Sequence, residues 1–146
     1  MNAFYLVVDL IKERLQNNPN VNTVLFGATE DKDLYKKNIY PIAHINPVSA
    51  PMDSTKASYF TFEIACLDQR DISKAPATDK FDGNDNLQDN LNITYTILND
   101  LVGWLRLQNN SIYAELDSVS EATPILFKDH NLLDGWYMTI TIKVPN

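Results

Sequence analysis

The side chains that could carry out nucleophilic or metal chemistry are few and lie far apart in the sequence. The two histidines, His44 and His130, fall on different predicted elements, and the single cysteine is Cys66. His44 and Cys66 could meet on neighbouring strands, but no nucleophile-elbow motif such as GxSxG accompanies them. A zinc site lacks the HExxH spacing. We therefore expect structural or surface roles for both histidines and a buried strand position for Cys66.

An acidic cluster could in principle bind calcium; it consists of Asp79, Asp82, Asp85 and Asp89. In a calcium loop that starts at Asp82, Leu87 stands where the loop needs glycine and Ile93 where it needs glutamate. We interpret the cluster as the solvated start of a helix. Four glycines in the whole chain provide no phosphate-cradling loop, so the sequence predicts no metal and no cofactor.

Length and composition indicate one ordinary globular domain, residues 1–146. Apolar residues make up 45% of the chain and charged residues 21%. The net charge of −7 argues against a general nucleic-acid binder, which needs lysine and arginine in excess. Asp9 interrupts the apolar N-terminal run, no basic leader precedes it, and no apolar run is long enough to span a membrane. We expect synthesis and folding in a reducing cytoplasm.

The rest of the chain is organised around a predicted helix, Asp85–Gln108. Its apolar residues recur at steps of three and four and should form one stripe: Leu87, Leu91, Tyr95, Leu98, Leu101, Val102 and Leu105. Asp85 is a suitable N-cap, with Gln88 completing a capping-box pattern. Gly103 predicts either fraying or close packing in the last turn. With one apolar stripe, this helix should lie across a sheet.

The remaining segments supply an opening helix and the strands of that sheet. Residues 2–17 form the helix, and the linker 46–57 is rich in proline and small residues. The predicted strands are Thr23–Phe26, its partner Ile39–Ile45, Tyr59–Leu67, Ser111–Ser118, and the antiparallel pair Pro124–Lys128 and Trp136–Val144. Asp134-Gly135 reads as a turn dipeptide with positive φ before the last strand. The order predicts an α+β fold, a mainly antiparallel β-sheet with an N-terminal helix and a long central helix packed on it.

Two connections are candidate interaction surfaces. Residues 68–85 form a polar linker of a length that compact domains usually reserve for function or disorder. The Lys128–Asp134 turn carries adjacent leucines, Leu132 and Leu133, which predict either an exposed contact or folding back onto the core.

Three stretches together resemble the tail terminator (tail completion) proteins of long-tailed bacteriophages. They are the opening helix with the Thr23–Phe26 strand, the central helix Asp85–Gln108, and the ending ILFKDHNLLDGWYMTITIKV. The resemblance is one of layout, spans nearly the whole chain and includes no short shared motif. It implies a non-enzymatic virion protein that forms a ring, typically a hexamer, caps the tail tube and joins it to the head–neck connector.

The resemblance also implies partners, a location and a set of contact residues. The partners are further copies of the chain, the tail tube protein and a connector or neck protein, with DNA passing through the lumen without specific binding. The location is the tail–neck region of the virion, after assembly in the host cytoplasm and without a membrane. The expected subunit or partner contacts are Asp68, Arg70, Asp71, Lys74, Lys80, Phe81, Asp82, Leu132 and Leu133.

Three alternatives remain open at this stage. The chain could be another neck or head–tail connector ring, or an accessory subunit of a secretion or toxin machine built from related tube parts. It could also be a small α+β enzyme or ligand-binding domain that uses His44, Cys66 or the acids Asp79–Asp89. That last hypothesis predicts a concave pocket in which at least two of these side chains converge.

Overall fold

A six-stranded sheet with two helices forms the framework in the computed structural model, which describes residues 2–27, 39–52, 56–71, 86–128 and 132–145. The helices are α1 (Ala3–Gln16) and α2 (Leu87–Arg106). The strands are β1 (Thr23–Phe26), β2 (Ile42–Ser49), β3 (Ala57–Gln69), β4 (Glu115–Val119), β5 (Thr123–Lys128) and β6 (Leu133–Pro145). The predicted α+β class is confirmed.

The sheet is built on the long antiparallel pair of β3 and β6. These strands pair along their whole lengths, from Ala57 opposite Pro145 to Gln69 opposite Leu133. The strand order is β1-β2-β3-β6-β4. β5 also pairs with β6, but with its residues 133–137, whereas β4 pairs with its residues 140–143. The pair of β1 and β2 is parallel, whereas the other pairs are antiparallel. At 3.3–3.4 Å per residue, the 13-residue strands span roughly 40 Å, so the sheet has two well-separated ends.

Every second side chain of the central parts of β3 and β6 points towards the helices and forms the core. The side chains that face the helices are fully or almost fully buried: Phe62, Ile64, Cys66, Met138, Ile140, Ile142 and Val144. α1 packs Val7, Ile11 and Leu15 against them. Each such aliphatic or aromatic side chain contributes about 1.5–3 kcal/mol by leaving water, so this layer dominates the stability of the domain.

The first half of α2 buries a different face from the predicted one. The C-terminal half agrees, since Leu98, Leu101 and Leu105 are buried, but Tyr95 is 49% exposed and Asn90 and Thr94 are buried in its place. The Asn90 side-chain amide donates to the Gln69 carbonyl at 3.1 Å, and the Thr94 hydroxyl donates to the Asn90 carbonyl at 2.6 Å. Because their polar atoms are satisfied, these two residues can occupy the buried face.

The ends of α2 also correct the sequence reading. The N-cap is Asn86, whose side chain makes no capping hydrogen bond, and Asp85 lies outside the described residues. Gly103 is exposed, and a Cβ added there would meet no atom within 4 Å. The close packing considered for Gly103 is therefore wrong within this chain.

Several strand boundaries differ from the predicted ones, and tertiary context explains two of them. β2 continues through Pro47 to Ser49, where a loop was predicted. Among the described strands, β1 pairs with β2 only as far as Ile45. Pro47 lies beyond this pairing, so the amide hydrogen that proline lacks is not needed for a hydrogen bond to β1. β4 begins at Glu115 instead of Ser111, because the Asn110 side chain bonds both the amide and the carbonyl of Ala114 and holds a turn.

The predicted Asp134-Gly135 turn is wrong. Both residues lie inside β6, opposite Asp68 and Leu67, and both are buried. A Cβ added at Gly135 would lie 1.8 Å from the Cys66 carbonyl oxygen. Glycine is therefore required here because two strand backbones approach closely, and no positive φ is involved.

Candidate functional site

The two predicted interaction surfaces arise at the same end of the sheet. β3 ends where β6 begins, and the pairing extends one residue further, since the Arg70 amide donates to the Leu132 carbonyl at 2.8 Å. We call this region the loop base; it comprises residues 68–71, Asn86, Asn90 and residues 132–134. Residues 72–85 leave the loop base after Asp71 and return at Asn86.

A buried ion pair joins the two strands of the loop base. Arg70 Nε donates to Asp134 Oδ2 at 2.6 Å, and Arg70 Nη2 donates to Oδ1 at 2.7 Å. The Arg70 and Asp134 side chains are 1% and 0% exposed. A bidentate, charge-assisted pair of this geometry fixes orientation as well as distance. It locks the end of β3 to the start of β6.

A second carboxylate sits beside this pair. Asp68 lies opposite Asp134 in the ladder and accepts a hydrogen bond from the Gln69 amide at 2.8 Å. Burial raises the pKa of the Asp68 carboxyl, the neighbouring charge of Asp134 raises it further, and the Gln69 hydrogen bond partly offsets both effects. The loop base is therefore acidic on balance.

Two asparagines on α2 close the root of the 72–85 segment. Asn86 Oδ1 accepts from the Asp71 amide at 2.6 Å, and Asn86 Nδ2 lies 3.3 Å from the Gln69 carbonyl oxygen. Asn90 donates to the same carbonyl, and the two asparagine side chains bond each other at 3.2 Å. This asparagine clamp explains why the Asn86 side chain does not cap its own helix.

A small apolar cluster supports the loop base on the sheet face opposite the helices. Ile42, Leu67 and Leu133 are fully buried there, with Leu25, Tyr40 and Ile125 packed around them. Leu133 thus folds back onto the sheet, which was one of the two outcomes considered for the leucine pair. The neighbouring Leu132 is half-buried, with a φ of 54°.

The predicted contact residues divide into three groups. Asp71 is exposed, and Asp68 and Leu132 are half-buried, so these three reach the surface. Arg70 and Leu133 are internal to the chain and serve the surface only by positioning it. The others lie outside the described residues: Lys74, Lys80, Phe81 and Asp82. The sequence analysis did not predict roles for Asp134, Asn86 and Asn90. A polar residue inside a strand, as Asp134 is, or near the start of a helix, as the two asparagines are, could have indicated them.

The proposed meeting of His44 and Cys66 does not occur. His44 lies opposite Ala65, whereas Cys66 lies opposite Ala43, so the two side chains point to opposite faces of the sheet. Cys66 is fully buried, and burial raises the pKa of its thiol. His44 Nε2 lies at hydrogen-bonding distance from the Gly27 carbonyl oxygen. No three histidine, cysteine or carboxylate side chains group as metal ligands in the part of the chain that the structure describes.

Comparisons with known proteins add no relative to this geometry. The sequence matches no model of a known protein family, and no curated protein matches it. Neither of the two described helices has the length and apolar character needed to cross a membrane.

Proposed function

We propose that the chain is a structural subunit of a bacteriophage tail, similar to the tail terminator proteins, that assembles into a ring. The ring, most simply a hexamer, caps the tail tube and presents a surface to the head–neck connector. The observation that carries the proposal is the loop base, where Asp71 and Leu132, the described residues that border the two predicted contact segments, lie at the same firmly held end of the sheet.

Docking onto a tube requires contact residues whose positions are fixed by the scaffold beneath them. The Arg70–Asp134 pair and the asparagine clamp supply this scaffold, since they tie β3, β6 and α2 together. The charged groups buried in the loop base bind each other, which supports a positioning role. Recognition loops on rigid scaffolds are the usual arrangement for binding without turnover.

The charge of the chain is compatible with a channel for DNA. The net charge is −7, and two of the carboxylates, Asp68 and Asp71, reach the surface at the loop base. Carboxylates facing the lumen would repel phosphate, so DNA would pass without specific binding. The proposal therefore places the protein in the tail–neck region of the virion, after assembly in the host cytoplasm. Its partners there are other copies, the tail tube protein and a connector or neck protein.

A ring at a neighbouring position in the neck would use the same geometry. No specific observation favours a small enzyme or ligand-binding domain. His44 and Cys66 lie on opposite faces of the sheet. Of the acids in that hypothesis, Asp89 is exposed on α2, and Asp79, Asp82 and Asp85 lie outside the described residues.

The solution mass tests the proposal directly. Light scattering behind size exclusion, from roughly micromolar to millimolar protein, should show a species near six times 16.6 kDa, and negative-stain images should show rings with a central opening. A monomer at every concentration, with no rings in the images, would contradict the proposal.

A loop deletion then tests the role of the loop base. Because the asparagine clamp already joins Asp71 to Asn86, a variant lacking residues 73–82 should fold with a Tm close to that of the wild type. We expect this variant to keep its ring mass and to lose co-sedimentation with purified tail tubes. Full retention of tube binding would show that residues 73–82 are not the docking element.

A further inference from the structure

An apolar groove lies at the other end of the sheet, where β3 begins. The first turn of α1, residues 50–52 after β2 and the start of β3 line an open groove of about 590 Å³. We call it the apolar groove and define it by Phe4, Tyr5, Met52, Tyr59 and Phe60. Tyr5 is 65% exposed and Met52 96% exposed.

The inner wall of the apolar groove is firmly packed, whereas its outer side is uncovered. The Phe4 ring contacts the Phe60 and Phe62 rings with centroid separations of 5.6 and 6.0 Å, yet Phe4 remains 41% exposed. Phe26 lies 6.4 Å from Phe4 and is 50% exposed. An aromatic side chain covers about 150–250 Å², so the uncovered parts together amount to on the order of 400 Å². That area is roughly half of one partner's share of a standard interface.

The described residues that line the apolar groove carry no charged side chain: none of them is Asp, Glu, Lys or Arg. Two copies with net charge −7 repel each other over most of their surfaces. The least unfavourable contact between copies is therefore one that brings no like charges together, which the apolar groove provides.

A matching protrusion lies in the connection between α2 and β4. Residues 107–113, with the sequence LQNNSIY, contain no charged side chain, and we call them the α2–β4 turn. Two of its large apolar side chains are among the most exposed described here, Leu107 at 72% and Tyr113 at 75%. The Asn110 side chain accepts from the Ala114 amide at 2.8 Å and donates to its carbonyl at 2.9 Å, which holds the turn in shape. Little conformational entropy is therefore lost when it binds.

The apolar groove and the α2–β4 turn lie at the same end of the sheet but at opposite edges. Glu115 follows the turn directly and pairs with Lys143, which in turn pairs with Tyr59 of the groove. β4 is the outer strand on one side at this level, and β3 is the outer strand on the other among the described strands, because the pairing of β2 with β3 ends at Ser49 opposite Thr61. Two different patches at opposite edges are what a head-to-tail contact needs, and such contacts close into rings.

We propose that the apolar groove binds the α2–β4 turn of a second copy of this chain, with Leu107 and Tyr113 seated against Tyr5 and Met52. This inference rests on the proposed ring function and names the contact that closes the ring. It is a neutral, apolar contact, so high salt should strengthen it by screening the repulsion between the acidic subunits.

Disulfide trapping tests which surfaces meet. Cys66 is buried, so an introduced cysteine is the reactive thiol of the native chain. The Tyr5→Cys, Tyr113→Cys double variant should give a ladder of covalent oligomers up to the ring under mild oxidation. Neither single variant should cross-link, because residue 5 of one copy contacts residue 113 of the next copy and not its own equivalent. The matched control, Asn20→Cys with Tyr113→Cys, should give no ladder.

A charge placed in the apolar groove tests its energetic role. Met52→Glu should weaken assembly at least about tenfold, since its carboxylate would be buried without a partner. Gln88→Glu adds the same charge on the exposed surface of α2 and should leave the mass unchanged.

The outcomes separate the two proposals. Rings that survive Met52→Glu, without Tyr5–Tyr113 cross-links, would overturn the groove contact and leave the ring function standing. Cross-linking by Tyr5→Cys alone would reveal a two-fold contact and would also overturn this inference. A wild-type monomer together with an unlinked double variant would overturn both proposals.

Discussion

Asp134→Asn is the substitution that most directly tests the construction of the loop base. Asparagine keeps the size and shape of the aspartate but removes the charge that faces Arg70. The Arg70 guanidinium is 1% exposed, so water cannot replace the lost carboxylate. Removing one member of a buried ion pair costs about 3–5 kcal/mol, much of it because the remaining charge stays buried.

That loss is a large fraction of the total stability. Domains of this size unfold with a free energy of about 5–15 kcal/mol, so the variant should lose roughly a fifth of it or more. With an m-value of about 2 kcal/mol/M in urea, the unfolding midpoint should fall by roughly 1.5–2.5 M. Replacing both members, as Arg70→Met with Asp134→Leu, should recover most of the loss, because apolar residues of similar volume often replace buried pairs at no net cost.

Urea unfolding followed by tryptophan fluorescence measures both effects. Trp136 is a suitable probe because it lies two residues from Asp134, and its indole Nε1 donates to the Leu91 carbonyl of α2 at 2.9 Å. The four chains of the double-mutant cycle isolate the coupling energy of the pair. A midpoint shift below about 0.5 M for Asp134→Asn, equivalent to about 1 kcal/mol or less, would refute the reasoning, because exposed ion pairs contribute only that much.

Three further predictions concern the core and the loop base. Gly135→Ala should lower the free energy of unfolding by about 3 kcal/mol or more, because its Cβ would meet the Cys66 carbonyl oxygen at 1.8 Å. The control Gly103→Ala should instead stabilise α2 by about 0.5–1 kcal/mol. Thermal unfolding of the two variants checks these opposite signs. The raised pKa of Asp68 means that the folded chain binds this proton more tightly than the unfolded chain, so its carboxylate lowers stability above the folded pKa and not below the unfolded value of about 3.9. Asp68→Asn should therefore raise Tm more at pH 7 than at pH 3, and an equal gain at both would contradict the assignment. The Cys66 thiol should react with an aromatic disulfide reagent only at the rate of unfolding, because it is buried and burial raises its pKa; rapid reaction of the native chain would show an opening to Cys66.

The regular elements were predictable because their signals are local. The sequence patterns that predicted α1, β3 and β6 lie within single segments, and the structure contains each element, although both strands extend beyond their predicted ends. Composition alone predicted the polar linker 68–85; its first two residues belong to β3, and residues 72–85 lie outside the described residues. Its root at residues 68–71 lies at the end of the sheet where residues 132–133 also lie.

The chemistry of the loop base depended on contacts between distant residues. Arg70 and Asp134 are 64 positions apart, and Asn90 and Gln69 are 21 apart, so no local pattern shows that they meet. The same cause made the prediction for α2 wrong at Asn90, whose side chain donates to the distant Gln69 carbonyl. Thr94 is buried beside it and donates to the Asn90 carbonyl within the helix. The Asp134-Gly135 dipeptide favours a turn when considered alone, yet in the fold it lies beside the backbone of β3.

By itself, then, the sequence determined the α+β class, the helices and the alternating strands. Hydrophobic periodicity and the residues that end a helix or strand are local signals that extend over a few residues. Only the tertiary structure decided that β1 runs parallel to β2, that His44 and Cys66 lie on opposite faces, and which polar residues are buried. The physical reason is that a polar group can be buried only when its partner is already in place. That partner comes from another part of the chain, which only folding brings near.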